Sequence, residues 1–238
     1  MLWRRREREF SVKRFMRKAA RLDSFEIKAY EELFCHLKAE LMPVEPKKLG
    51  LRLLVIADTH GHLAYNKARL PSYLDRAGEF DLCVLLGDIH VAEMPLILDC
   101  IPREKIVALR GNHDSFSLYA EHGIRDVSGS AFEFGGVRFA AIDGSFRYKK
   151  ERFPSYTQYE SLKLAYQLPE ADVLLTHDVM LSDFEREPAH AGLIGISYYV
   201  FNKRPVWHIH GHIHKPYASE YENGTKERSV CLCEIIEI

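Results

Sequence analysis

Apolar residues come in short β-rich bursts along this chain. Leu51–Ala57, Leu82–Leu86 and Lys105–Leu109 are near-continuous apolar runs, each followed at once by a polar cluster. Runs of that length without alternation predict strands buried on both faces, and the helix-like stretches between them predict a parallel sheet. Further on, Ala131–Phe134 and Val137–Ile142 flank Gly135-Gly136 and predict a hairpin. A helix is predicted over 155–167, with strands at 171–176 and 205–210. Runs at 216–222 and 228–238, flanking Asn223-Gly224, predict a closing hairpin.

Residues 9–41 predict two helices broken near Asp23-Ser24, where Asp23 and Glu26 have capping-box spacing for the second. In that second helix Ile27, Tyr30, Phe34, Leu37 and Leu41 form one apolar stripe, and Pro43 and Pro46 end it in a linker over 42–49. The stripe has to bury against the main domain or against a second copy of the chain, so a homo-oligomer through the N-terminal helices is one expectation. Residues 1–50 are expected to be a helical extension and 51–238 a catalytic domain.

Composition narrows the class. With 238 residues, 47% hydrophobic and 28% charged, the chain is long and apolar enough to bury a core. The net charge of −1 hides an asymmetry: residues 1–22 carry nine basic and two acidic side chains, a local +7 that leaves −8 for the remainder. Such an arm is an electrostatic candidate for nucleic acid. The five cysteines are odd in number and form no C-x-x-C pair, which predicts reduced, mostly buried thiols. No apolar stretch approaches the ~20 residues of a membrane helix, and the start lacks a secretory leader's apolar core. The expectation is a cytoplasmic protein.

The chemistry lies in five segments: Asp58-Thr-His60, Gly87-Asp88, Gly111-Asn112-His113-Asp114, His177, and Gly211-His212-Ile213-His214. Each follows a β-type run, and in α/β sheets the ligand crevice lies beyond the carboxyl ends of the strands. Taken singly, most are ordinary turn sequences. Asp58 and His60 are two apart, so both side chains can face one way; Gly87 allows the tight backbone that brings Asp88 forward. His212 and His214 are spaced to send one imidazole to each of two metals. Carboxylates, a carboxamide and imidazoles without thiolate suit divalent first-row metals such as Mn, Fe or Zn. Two such ions about 3.5–4 Å apart form a clamp for attack at phosphorus.

In this order the five segments resemble those of the calcineurin-like metallophosphoesterase superfamily, over roughly residues 51–238. The resemblance implies an α/β fold of two packed mixed sheets flanked by helices, a four-layer α/β/β/α sandwich, here with an extra N-terminal helical arm. It implies two divalent ions per chain, manganese first, with iron, zinc or nickel as alternatives. Asp58, His60 and His214 would hold one; Asn112, His177 and His212 the other, with Asp88 bridging. Asp58, Asp88 and His113 would be catalytic, and Asn112 and His113 would bind substrate, His113 donating a proton to the leaving group.

Gly144-Ser145-Phe146-Arg147-Tyr148, Asp183 and His190-Ala191-Gly192 resemble segments of small microbial phosphodiesterase-type members. Arg147 could then grip a phosphate oxygen and His190 line the rim. Asp178 departs from the small or apolar residue many relatives carry there. His90, His208 and His210 read equally as packing or hydrogen-bonding residues. The implied activity is hydrolysis of a phosphodiester or phosphomonoester by a metal-bridging hydroxide, with a small or cyclic phosphodiester favoured. The alternative is a nucleic-acid-processing nuclease using the basic arm. A non-catalytic scaffold is a further class; such relatives usually lose metal ligands, and here every one is present.

Overall fold

A computed structural model describes residues 12–19, 27–148, 154–181 and 188–238. Two helices come first, α1 (Val12–Ala19) and α2 (Ile27–Ala39). The break expected near Asp23-Ser24, with its capping pair, lies outside the described residues, as does Asp183. The first sheet then grows from β1 (Arg52–Ala57), β2 (Leu82–Leu85), β3 (Ile106–Ala108) and β4 (Arg125–Asp126), all parallel. The short helices α3 (His62–Tyr65), α4 (Arg69–Ala77), α5 (Met94–Cys100) and α6 (Leu118–Glu121) connect these strands.

The second sheet begins with the expected Gly135-Gly136 hairpin, β5 (Ala131–Phe134) and β6 (Val137–Ile142). A small parallel pair follows, β7 (Ser145–Phe146) and β8 (Ser155–Tyr156). The helix expected over 155–167 starts later, as α7 (Gln158–Gln167), because Thr157 caps it: its side chain accepts from the Glu160 N–H, and Glu160 returns the bond. Next come β9 (Val173–Thr176), α8 (Ile194–Tyr198), β10 (Trp207–His210), β11 (Tyr217–Glu220), β12 (Lys226–Ser229) and β13 (Leu232–Glu237). The six strands lie in the order β11-β12-β10-β9-β6-β5.

The closing hairpin is only half as expected. β11 and β12 pair antiparallel around Asn223-Gly224, but the run read as 228–238 is two strands. The backbone turns at Leu232, whose φ is +72°, and β13 crosses to the first sheet to lie antiparallel on β1. The extra edge on β1 captures this strand, a pairing that no local pattern records.

The central strands of each sheet are covered on both faces, which is why they read as unbroken apolar runs. Leu53, Val55 and Ala57 of β1 point between the sheets toward Phe139, Val173 and Ile209. Leu54 and Ile56 point outward to Leu70, Met94, Ile97 and Tyr119 of the helices. On the far side Ala140, Ile142 and Leu174 meet Leu162, Ile194 and Tyr199. The result is the four-layer sandwich. Tyr30, Leu33 and Leu37 of α2 are buried in that last cluster, so the domain itself covers much of the stripe. Of the five cysteines only Cys83 is buried and Cys35 is exposed, against the expectation of mostly buried thiols. No described helix is long and apolar enough to cross a membrane.

Candidate metal centre

All the parallel strands of both sheets release their carboxyl ends at one edge of the sandwich, and the five segments meet there. Backbone bonds tie the loops together: Asp58 N–H to Gly87 O at 3.1 Å, His60 N–H to Asp88 O at 3.3 Å, and Gly211 N–H to His177 O at 3.1 Å. Among the bonds that cross between the sheets is one from the His212 N–H to Asp58 Oδ2 at 2.7 Å.

The backbone is strained here. Asp58, His60, Asp88, His212 and His214 all have positive φ, between 43° and 67°. That region costs a non-glycine residue about 1 kcal/mol or more, and it persists where the surroundings over-determine it. Space is equally tight. A Cβ on Gly111 would land on the Asp88 carboxylate and 2.7 Å from His177 Cε1, and one on Gly87, whose φ is +88°, would strike the Gly111 backbone. The two glycines let two strand ends approach until Asp88 reaches the centre.

The ligand atoms form two groups. Those of Asp58, His60 and His214 lie within 4.8 Å of one another, and so do those of Asp88, His177 and His212. Asn112 joins the second group, its Oδ1 3.0 Å from His177 Nε2. Asp88 Oδ2 lies between the groups, 3.6 Å from His60 Nε2 and 3.6 Å from His177 Nε2. The ring nitrogens are aimed by their other bonds. His177 Nδ1 donates to Leu86 O at 2.8 Å, leaving Nε2 as the free lone pair; His212 Nε2 donates to Ala189 O at 2.7 Å, leaving Nδ1.

The donor set fits divalent cations. Asp58 Oδ1 and Asp88 Oδ2 are buried acceptors without a hydrogen-bond partner among the described residues. An orphaned buried carboxylate oxygen is costly unless a cation covers it. In the metal-free protein, burial and then the nearby Asp88 push the Asp58 carboxyl up to about 8. Burial alone would raise Asp88 too, but His177, the His113 N–H and the rings of His113 and His60 hold it below the usual range. Burial takes His177 down to about 4 and lowers His60 and His214, so these imidazoles are neutral and their lone pairs open to a metal.

His113 is exposed beside the groups, its ring 5.5 Å from that of His60 and its N–H bound to Asp88 Oδ1 at 2.8 Å. His190 is also brought to the rim, its ring 5.1 Å from that of His212. Arg147 is committed elsewhere: its guanidinium pairs with Glu160 at 3.0 Å and donates to Ser155 O at 2.9 Å. The expected phosphate grip therefore has no support in this arrangement, because the fork faces α7.

Three supporting acids were not legible as such. Asp114 accepts N–H bonds from Asp88, Ile89 and Gly111 at 2.8–3.0 Å and the Tyr119 hydroxyl at 3.1 Å, fixing the loop that carries Asp88. Burial pushes its carboxyl up to about 7. Glu93, fully buried, gathers the N–H groups of Leu63, Ala64 and His90 and the Thr59 hydroxyl. Asp178 accepts from Phe146 and Val179 and lies 3.9 Å from His212 Nε2. A glutamate in an apolar helical stretch, as Glu93 is, was the one available sign.

Residues 51–230 match the calcineurin-like phosphoesterase superfamily domain. Among curated proteins, no match to the sequence reaches significance. Among solved structures, TT1561 of Thermus thermophilus is similar with a TM-score of 0.54 at 11% identity, over 79% of this chain and 99% of that one. Phosphopantetheinyl hydrolase (PptH) from Mycobacterium tuberculosis is similar with a TM-score of 0.51 at 15% identity, over 78% and 91%. At such identities these likenesses speak for the fold. The match over three quarters of the sequence decides the family: this chain belongs to the calcineurin-like phosphoesterase superfamily, hydrolases of phosphoric ester bonds.

Proposed function

We propose that the chain is a dinuclear metal-dependent phosphoesterase acting on a small or cyclic phosphodiester. The observation that carries this reading is the position of Asp88 Oδ2, a buried oxygen without a hydrogen-bond partner among the described residues and equally distant from His60 and His177. Asp58, His60 and His214 would hold one ion, Asn112, His177 and His212 the other, and Asp88 both. Two divalent ions bound there supply an activated water near neutral pH and neutralise charge on the phosphoryl oxygens. Asn112 adds a neutral oxygen, so the second group gains a ligand without a further negative charge. His113, exposed above the groups and anchored by its backbone to Asp88, can deliver a proton to the leaving oxygen. His190 faces the same opening and would contact the rest of the ester. Manganese is the first choice of metal, since hard oxygens make up much of the donor set.

The test is metal analysis joined to hydrolysis of bis(p-nitrophenyl) phosphate. The expected result is about two ions per chain at these groups and turnover that a chelator removes and manganese restores. A protein that takes up manganese at neither group, or hydrolyses the diester equally well after metal removal, ends the proposal.

One observation favours a nucleic-acid-processing reading. α1 turns Val12, Phe15 and Met16 toward the second core cluster and leaves Lys13, Arg14, Arg17 and Lys18 exposed. On that reading, oligonucleotide affinity falls steeply with salt and disappears when residues 1–22 are deleted.

A further inference from the structure

The groups above use only part of the imidazole in this chain. A second concentration lies on the outer face of the second sheet, one register row across three strands. His208 of β10 is paired with Glu227 of β12, and Glu227 with Ser219 of β11. His210 follows on the same face. His208, His210 and Glu227 are buried, and their ligand atoms lie within 4.8 Å of one another.

We propose that His208, His210 and Glu227 form a separate, structural zinc site that ties β10 to β12 beneath the edge strand β11.

Geometry carries this: three buried ligand atoms converge, and the bonds around them fix which lone pairs face inward. Nine polar contacts among the described residues run through the group. Thr176 donates to Asp178 O at 2.5 Å and lies 2.8 Å from His208 Nε2. His208 Nδ1 is 2.8 Å from the Tyr221 hydroxyl, which donates to Glu227 Oε1 at 2.6 Å. His210 Nε2 is 3.1 Å from the same oxygen, and His210 Nδ1 is 3.0 Å from Gly211 O. Tyr217 donates to Glu227 Oε1 at 3.0 Å and lies 3.4 Å from His210 Nε2, and Ser219 donates to Oε2. Four hydroxyls and two neutral imidazoles supply one proton each, three too few for nine contacts.

A divalent cation removes the shortfall at one point. Thr176 then accepts from His208 Nε2–H and Gly211 O from His210 Nδ1–H, Tyr217 and Ser219 still donate to Glu227, and Tyr221 releases its proton to solvent as its oxygen meets the ion, which frees one lone pair of Glu227 Oε1. The lone pairs left over, His208 Nδ1, His210 Nε2 and Glu227 Oε1, are those facing the centre of the group. Outer bonds that fix imidazole tautomers in this way are the usual surroundings of metal-bound histidine. Two nitrogens and a carboxylate suit zinc, and the Tyr221 oxygen fills the fourth corner, closing the site as structural zinc requires. Ligands of a four-coordinate zinc stand about 3.3 Å apart for bonds near 2.0–2.2 Å. The measured spacings of 2.6–3.1 Å need a few tenths of outward shift.

The experiment uses the full chain carrying Asp58→Asn and Asp88→Asn, which disables the strand-end groups and leaves the new cluster intact. After zinc loading and desalting, about one zinc per chain is expected by mass spectrometry of the elements. Cobalt in its place should give the visible bands of a four-coordinate ion. Adding His208→Asn or Glu227→Gln should remove that equivalent. A folded double variant that retains no zinc and shows no four-coordinate cobalt spectrum overturns the proposal. So does a bound ion that survives both cluster substitutions. Failure of the strand-end centre would show differently, as a wild-type chain that holds only this one ion.

Discussion

His60 Nε2 and His214 Nε2 face each other at 3.2 Å, although 154 positions separate the residues. Two neutral ring nitrogens at that distance cannot both keep their lone pairs unshared, and Asp58 Oδ1 is 3.9 Å from the second. An N–H···N bond between the rings would still leave Asp58 Oδ1 without a partner among the described residues, and a cation shared by all three would satisfy it. His214→Ala is therefore expected to release one ion and to lower turnover more than about 100-fold, beyond the range typical of outer-sphere partners. Metal analysis beside diester turnover checks this; an unchanged metal content would remove His214 from the ligand set.

Asp88→Asn should empty both groups, since it weakens the oxygen common to them. Activity and bound metal are expected to fall together, to about 1% or less of wild type. His113→Ala should instead slow turnover by about 10²–10⁴-fold while both ions stay bound. The contrast between the two variants separates holding metal from moving protons.

Gly111→Ala introduces a methyl group where the Asp88 carboxylate lies. Circular dichroism is expected to report an intact fold, while metal affinity drops about 10–100-fold, as for a displaced supporting partner. If titration calorimetry gives wild-type affinity, the close approach of the two strand ends is not what positions Asp88.

Glu93→Ala strands three N–H groups and one hydroxyl in the interior. At about 1–3 kcal/mol for each unsatisfied group, with partial relaxation, a loss near 3–5 kcal/mol is expected. Urea unfolding of the chelated protein measures it free of metal linkage, and a loss under about 1 kcal/mol would show that the cluster re-pairs with water.

Far from the centre, Asp172 supplies a pH handle. Burial would raise its carboxyl, but the Arg138 guanidinium and N–H, together with Lys47, hold it below the ordinary 3.8. A depressed folded-state value means stabilisation present above about pH 4 and lost as pH falls through the folded value. Because Arg138 is more than half exposed, about 1 kcal/mol is expected. Asp172→Asn should lower stability at pH 7 by that amount and flatten the acid limb below pH 4. Equal acid limbs in both proteins would assign the effect to another carboxylate.

Much of the fold and the candidate ligand set was legible along the chain, for a physical reason. Strands buried on both faces have to be continuously apolar, so Leu51–Ala57 or Lys105–Leu109 announce themselves, and the polar segments that end them need no long-range information to be found. Sequence order alone placed Asp58, Asp88, Asn112, His177 and His212 at strand ends. What required the tertiary structure was everything set by pairing between distant segments. Only the free edge of β1 decided that β13 leaves the hairpin for the other sheet, and only the pairing of β7 with β8, the strand that leads into α7, turned Arg147 toward Glu160. Glu93, Asp114 and the His208–His210–Glu227 row are polar residues whose partners come from other strands and loops. A buried hydrogen bond or a shared lone pair is a property of two surfaces in contact, and no local pattern encodes it.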